Sequence, residues 1–151
     1  LQLFSFSKVT DLDQSPEVSA HARAVVQILG TVVEGLDHID ALIPTLHSLA
    51  RTHLKLGVLV EHFPIMGESL LWTLEQHLGP KRAWNHYVKE AWIKAWSVVQ
   101  LVMQNAMTMR TKVVLPSPSP ELSREKVRKL VQESWALAEK DLDANGVKFF
   151  M

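Results

Sequence analysis

Leu42, Leu46 and Leu49 are spaced by four and then three residues, which places them on one face of a helix. Four residues further along that face stands His53, where the pattern calls for a hydrocarbon. Imidazole brings to such a place a nitrogen lone pair that can bind a metal. His21 lies four residues before Val25 and seven before Ile28, at the edge of another apolar stripe. A histidine drawn into a core needs a hydrogen-bond partner or a metal, since an unsatisfied polar group there costs about 2–7 kcal/mol. The residues themselves support two readings. The pair are either satisfied core histidines or ligands facing each other across a flat, apolar group that holds a metal. No carboxylate or third histidine stands at zinc-ligand spacing beside either one. The other histidines (His38, His47, His62, His77 and His86) read as surface residues, His38 in a polar turn and the rest on solvent-facing sides of helices.

The chain has 151 residues, with 16 Lys plus Arg balanced by 16 Asp plus Glu. That length suits one domain with one core. The charge balance argues against a binder of nucleic acid or of a membrane surface, both of which demand a basic excess. The absence of cysteine excludes a disulfide framework, a thiolate nucleophile and cysteine-based metal sites, and it suits a reducing, cytoplasmic compartment. No apolar run approaches the length of about 18 residues that a membrane span needs. Leu1 is preceded by no basic segment, so no secretory signal is expected, and a domain excised from a longer chain is.

Apolar residues recur at steps of three and four almost throughout, which predicts an all-α chain. The first helix follows "SPEV", with Ser15 as cap, Pro16 in the first turn and Glu17 at the positive end. Its expected stripe is Val18, Ala22, Val25, Leu29, Val32 and Leu36. A second helix ends at Gly57, with Pro44 limiting its first turn. A third runs from Phe63–Pro64 to Leu78, and a fourth from Ala83 to Met107 with Trp84, Tyr87, Val88, Ala91, Trp92, Ala95 and Val99 inward. "VVLPSPSPE" reads as an extended linker. After it Ser123 caps another helix carrying Trp135, and a short helix is expected from about Asp141 to Met151. The apolar residues of this last stretch, Trp135 and the Phe149–Phe150 pair, call for a partner elsewhere in the chain.

Taken together these segments resemble a globin of the neuroglobin and globin X kind. "SPEVSAHARAVV" is similar to the globin E helix, with His21 in the distal place, and "LARTHLKLGV" to the F helix, with His53 in the proximal place. "FPIMGESLLWTLEQHLG" resembles helix G, and "AWNHYVKEAWIKAW" the corner into helix H, with Tyr87 inside. "LFSF" resembles the corner after helix C and puts Phe4 where a phenylalanine stacks on haem. "ELSREKVRKLVQESWALAEKDLDANGVKFFM" resembles helices A and B, which begin an ordinary globin and here come last. The resemblance thus implies a circularly permuted globin fold over residues 1–151: helices C to H in 1–112, a Pro/Ser linker in 113–120, and helices A and B in 121–151. Androglobin is the natural family with that order. Gly146 would cross the E helix opposite the small Ala22, where two small side chains permit close approach.

What the resemblance implies about the site follows. Haem b would be held with His53 as proximal iron ligand and His21 distal, either hydrogen-bonding bound oxygen or, the favoured reading, binding iron itself in the resting state. Phe4, Val25, Leu49, Val58, Phe63 and Phe150 would wall the pocket, and Arg51 and Lys55 would lie beside the propionates. The implied function is reversible binding of oxygen, nitric oxide or carbon monoxide for sensing, storage or scavenging, with no dedicated catalytic residues. The alternatives are haem redox activity fed by an electron-donor reductase (nitric-oxide dioxygenase or nitrite reductase) and a haem-free helical interaction module. A shortened B-to-C connection raises the further expectation of a helix-swapped dimer.

Overall fold

A computed structural model of the chain describes residues 15–108 and 122–144. It contains five α-helices: α1 (Pro16–Glu34), α2 (Ile39–Lys55), α3 (His62–Leu78), α4 (His86–Met107) and α5 (Arg124–Ala144), with a 3₁₀ turn, Gly35–His38, between α1 and α2. The all-α expectation holds. The expectations for Phe4, Gly146, Phe149, Phe150 and the linker lie outside the described residues.

Each helix starts and stops for local reasons. Ser15 caps α1, its hydroxyl oxygen accepting from the Val18 N–H at 3.3 Å, and Pro16 stands at the first turn as expected. The Glu17 carboxyl is held below its ordinary value by its own backbone N–H and then by the Ser15 hydroxyl. α2 begins earlier than Pro44 implied, so this proline sits inside the helix rather than limiting its first turn. Asn85 caps α4 through its side-chain oxygen and the Val88 N–H at 3.1 Å, which moves the start of α4 from Ala83 to His86. Ser123 caps α5 through the Lys126 N–H at 3.2 Å. α5 then runs unbroken through Asp141 to Ala144, so no separate short helix starts at Asp141.

α4 is the spine, with α2, α3 and α5 packed against it, while α1 packs mainly on α5. The core divides into two neighbouring clusters. One gathers Val26, Leu29 and Val33 of α1, Leu70, Leu74 and Leu78 of α3, Val88, Ala91 and Trp92 of α4, and Val131, Trp135 and Leu142 of α5. The other joins Val32, Leu42, Leu46, Ala50 and Phe63 to Val99, Val102 and Met103. In α1 the buried stripe is wider than a single line: Val26 and Val33 are buried, whereas Val25 and Leu36 are half-buried. Tyr87 corrects the sequence reading. It lies outward, 56% exposed, edge-on to His86 and under the Lys126 amine at 4.9 Å, because the α4 start turns it toward the N-terminal end of α5 rather than into the core.

Two contacts set how closely the helices approach. A Cβ on Gly67 would fall 2.4 Å from Trp96 Nε1, so only glycine there lets α3 meet α4 at that indole. Between α4 and α5, Trp92 Nε1 donates to Ser134 Oγ at 2.9 Å, and Ser134 Oγ donates to the Leu130 carbonyl at 2.6 Å. The Trp92 and Trp135 rings pack with centroids 5.9 Å apart. Buried indole N–H groups are costly to orphan, so Ser134→Ala should lower stability by about 1–3 kcal/mol in urea titrations. On a Trp92→Phe background the same Ser134 change should cost much less, and equal losses in both backgrounds would refute the coupling.

Candidate functional site

The chemistry of His53 begins with the end of its helix. α2 closes with Gly57 at φ +85°, a left-handed conformation that costs glycine little. The Gly57 N–H then donates to the Leu54 carbonyl at 3.1 Å and the Val58 N–H to the His53 carbonyl at 3.0 Å, the paired closure of a Schellman cap. His53 is therefore rigidly held one turn before a fixed corner. Its Nδ1 lies 2.9 Å from the Leu49 carbonyl oxygen. A carbonyl only accepts, so Nδ1 carries the proton, and in the neutral ring the lone pair is left on Nε2. This is how proteins prepare a histidine to bind a metal: one nitrogen is tied down to orient the other. The sequence reading took Leu49 as a packing side chain; its backbone carbonyl is the group that orients the ring. A signal was available, since Leu49 is one helical turn before His53.

His21 stands on α1, in its second turn. It is half-buried, and its pKa is lowered from 6.5, first by burial and then by the charge of His53. The second cause shows that the two rings are close enough to feel each other's charge, although they sit 53 − 21 = 32 residues apart. Both causes favour the neutral, lone-pair form of His21. α1 is seated chiefly on α5 and α2 on α4, so the two histidine helices are placed by different partners rather than zipped together.

The expected walls separate into two groups. Val25, Leu49 and Val58 are half-buried and lean on the edges of the core. Phe63 is 6% exposed within the α2–α4 cluster, beneath the corner that follows His53. Arg51, Lys55 and Ala24 are exposed. Of the remaining histidines, His38 and His86 face solvent as expected. His62 and His77 are half-buried: His62 Nδ1 accepts from the Leu59 N–H at 3.0 Å, and His77 lies 3.9 Å from the Asp141 carboxylate. His47 departs most from the expectation, with its Nε2 buried and without a partner among the described residues, because α2 buries a strip broader than its leucine line.

Among the described residues no three His, Asp, Glu or Cys side chains gather around a common point. A bare ion bound wholly by protein is therefore unsupported. A metal already held by an organic ring would need only one or two protein ligands, and His53, with Nδ1 tied to the Leu49 carbonyl, and the half-buried His21 are a donor set that would suit it.

Comparison with known proteins agrees. The Globin family model matches residues 1–103. A neuroglobin of Danio rerio is 34% identical over 107 residues, 68% of this chain and 66% of that protein. A neuroglobin of Tetraodon nigroviridis is 33% identical over 103 residues, 66% of this chain and 64% of that protein. The chain thus spans slightly less than two thirds of the length of these relatives. No solved structure matches it. The chain belongs to the globin family. Membership implies haem as cofactor.

The depressed His21 pKa fixes the direction of a pH effect. The unfolded chain takes up this proton near pH 6.5 and the folded chain only at lower pH, so the stabilising contribution is full above 6.5 and is lost as pH falls toward the folded value. The haem-free protein should therefore lose stability as pH drops below 6.5, and His21→Leu should flatten that slope. An unchanged slope in urea titrations at pH 7.0, 6.0 and 5.5 would contradict the assignment.

Proposed function

We propose that the chain is a circularly permuted globin domain that holds haem b between His53 and His21 and binds diatomic gases reversibly for sensing, storage or scavenging. The observation that supports this reading is the tether from His53 Nδ1 to the Leu49 carbonyl, which leaves the Nε2 lone pair available to a metal, with His21 near enough to feel the charge of His53. Haem would be held by His53 and His21 and would supply the gas-binding iron. The residues do the rest. His53 is held ready by its helix end, and Val25, Leu49 and Val58 exclude water with apolar surface. His21, whose neutral form is favoured by burial and by His53, would compete with the gas for that iron and lower apparent gas affinity by the fraction of pocket that it closes. Arg51 and Lys55, exposed beside His53, are placed to meet the propionates from solvent.

The permuted order is supported by α5. It lies beyond the stretch that the family model matches, yet it packs on α1, α3 and α4, all within or overlapping that stretch. A helix appended outside a finished domain would not contribute Val131, Trp135, Ala138 and Leu142 to the domain's main core.

Two experiments test these readings. Visible spectra of the haem-loaded protein should show sharp low-spin ferrous bands that broaden to a high-spin form in His21→Ala, while His53→Ala should weaken haem retention at least tenfold. Absence of a Soret band after adding hemin would refute the haem reading. Moving residues 122–151 ahead of residue 1 through a flexible linker should preserve both the helical circular dichroism and the spectrum. Loss of folding in that rearranged chain would count against the permuted order.

A further inference from the structure

The outer face of α3 lies away from the packed core. Ile65 is 56% exposed and Trp72 is 55% exposed. They are one heptad apart, hence on one line along the helix about 10.5 Å long at 1.5 Å per residue. Isolated exposed apolar residues need no explanation, but this isoleucine and tryptophan stand two turns apart on one strip of the helix and offer a partner two apolar anchors at fixed spacing. Beside that strip runs a second line of equal period, Glu61, Glu68 and Glu75, all exposed. α3 contains no Lys or Arg, and none of these three glutamates enters an ion pair among the described residues. The other flank carries the exposed, uncharged Ser69 and Gln76.

We propose that this face of α3 is a docking surface for a basic amphipathic helix of a partner protein. Charge decides the class of occupant. A membrane with anionic headgroups would be repelled by the glutamate ridge, as would nucleic acid. A second copy meeting this face through a two-fold axis would add a second unpaired glutamate ridge to the same interface. A helix with two apolar side chains seven residues apart matches Ile65 and Trp72, and Lys or Arg along one flank matches the glutamates. Tryptophan is a residue type that concentrates binding energy in interfaces, so Trp72 is the anchor. The one-sided ridge fixes which way round the incoming helix lies. The proposal does not depend on haem binding.

The probe is a fluorescently labelled 21-residue helical peptide with Leu at heptad positions a and d and Lys at e and g, titrated by anisotropy against the full, haem-loaded chain. A second peptide carries Glu in place of Lys. The Lys peptide should bind, more weakly at high salt, and the Glu peptide should not. Affinity should fall at least tenfold in Trp72→Ala and in Glu68→Lys/Glu75→Lys, and should be unchanged in Leu56→Ala, which removes an exposed apolar side chain elsewhere. Circular dichroism confirms that each variant is folded. Failure of the Lys peptide to bind, equal binding of both peptides, or equal affinity across all variants would each overturn the proposal. So would sedimentation showing that the chain alone dimerises in a manner abolished by Trp72→Ala.

Discussion

The seating of α5 against α4 is the contact on which the rest depends. Trp92 and Trp135 meet there, and Ser134 accepts the buried Trp92 N–H while donating its own O–H to the Leu130 carbonyl. An indole buried without that acceptor would oppose the packing that buries it. Once α5 is seated, α1 has a surface to lie on. Gly30 permits the approach, since a Cβ there would stand 3.2 Å from the Glu139 carboxylate and 3.5 Å from Trp135 Nε1. The placement of His21 is therefore downstream of a helix more than a hundred residues later in the chain. Two polar ties at the rim, Arg128 to Asp37 at 2.8 Å and Lys81 to Asp141 at 2.6 Å, lie exposed and add little to this apolar contact.

His53 is placed by a different economy. Its ring direction comes from its own helix through the Leu49 carbonyl, and its height from the Gly57 cap. Packing of α2 on α4 through Leu42, Leu46 and Ala50 then carries the prepared ring to its position. One histidine is thus oriented locally and carried as a unit, while the other is defined by long-range packing. That division gives the pair different sensitivities. The His53 tether lies wholly within α2, whereas the helix that carries His21 rests on α5.

Much of the local structure was legible because its causes are local. Ser15 with Pro16, Ser123 and Gly57 announce helix ends through hydrogen bonds and dihedral angles that span only a few residues. The leucine line of α2 pointed straight to His53 because helical periodicity maps spacing onto a face. Other features needed a second element before they had any meaning. Tyr87 has the spacing of an inward residue, but the cap at Asn85 and the neighbouring Lys126 turn it outward. His47 reads as solvent-facing on an isolated helix and is partly covered in the bundle. Gly67 carries no pattern at all until Trp96 is seen above it.

What the sequence determined by itself was the set of helices, their caps and the two histidines that break apolar stripes, since each follows from interactions within one or two turns. It also carried the likeness to globins, which family membership upheld. Tertiary structure alone decided that His21 and His53 lie within electrostatic reach, that α5 completes the core from the far end of the chain, and that Ile65 and Trp72 remain uncovered. Those are statements about pairs of distant residues. Burial and Coulomb energy depend on separation in space, and the order of residues along a chain does not specify that separation until the helices have packed.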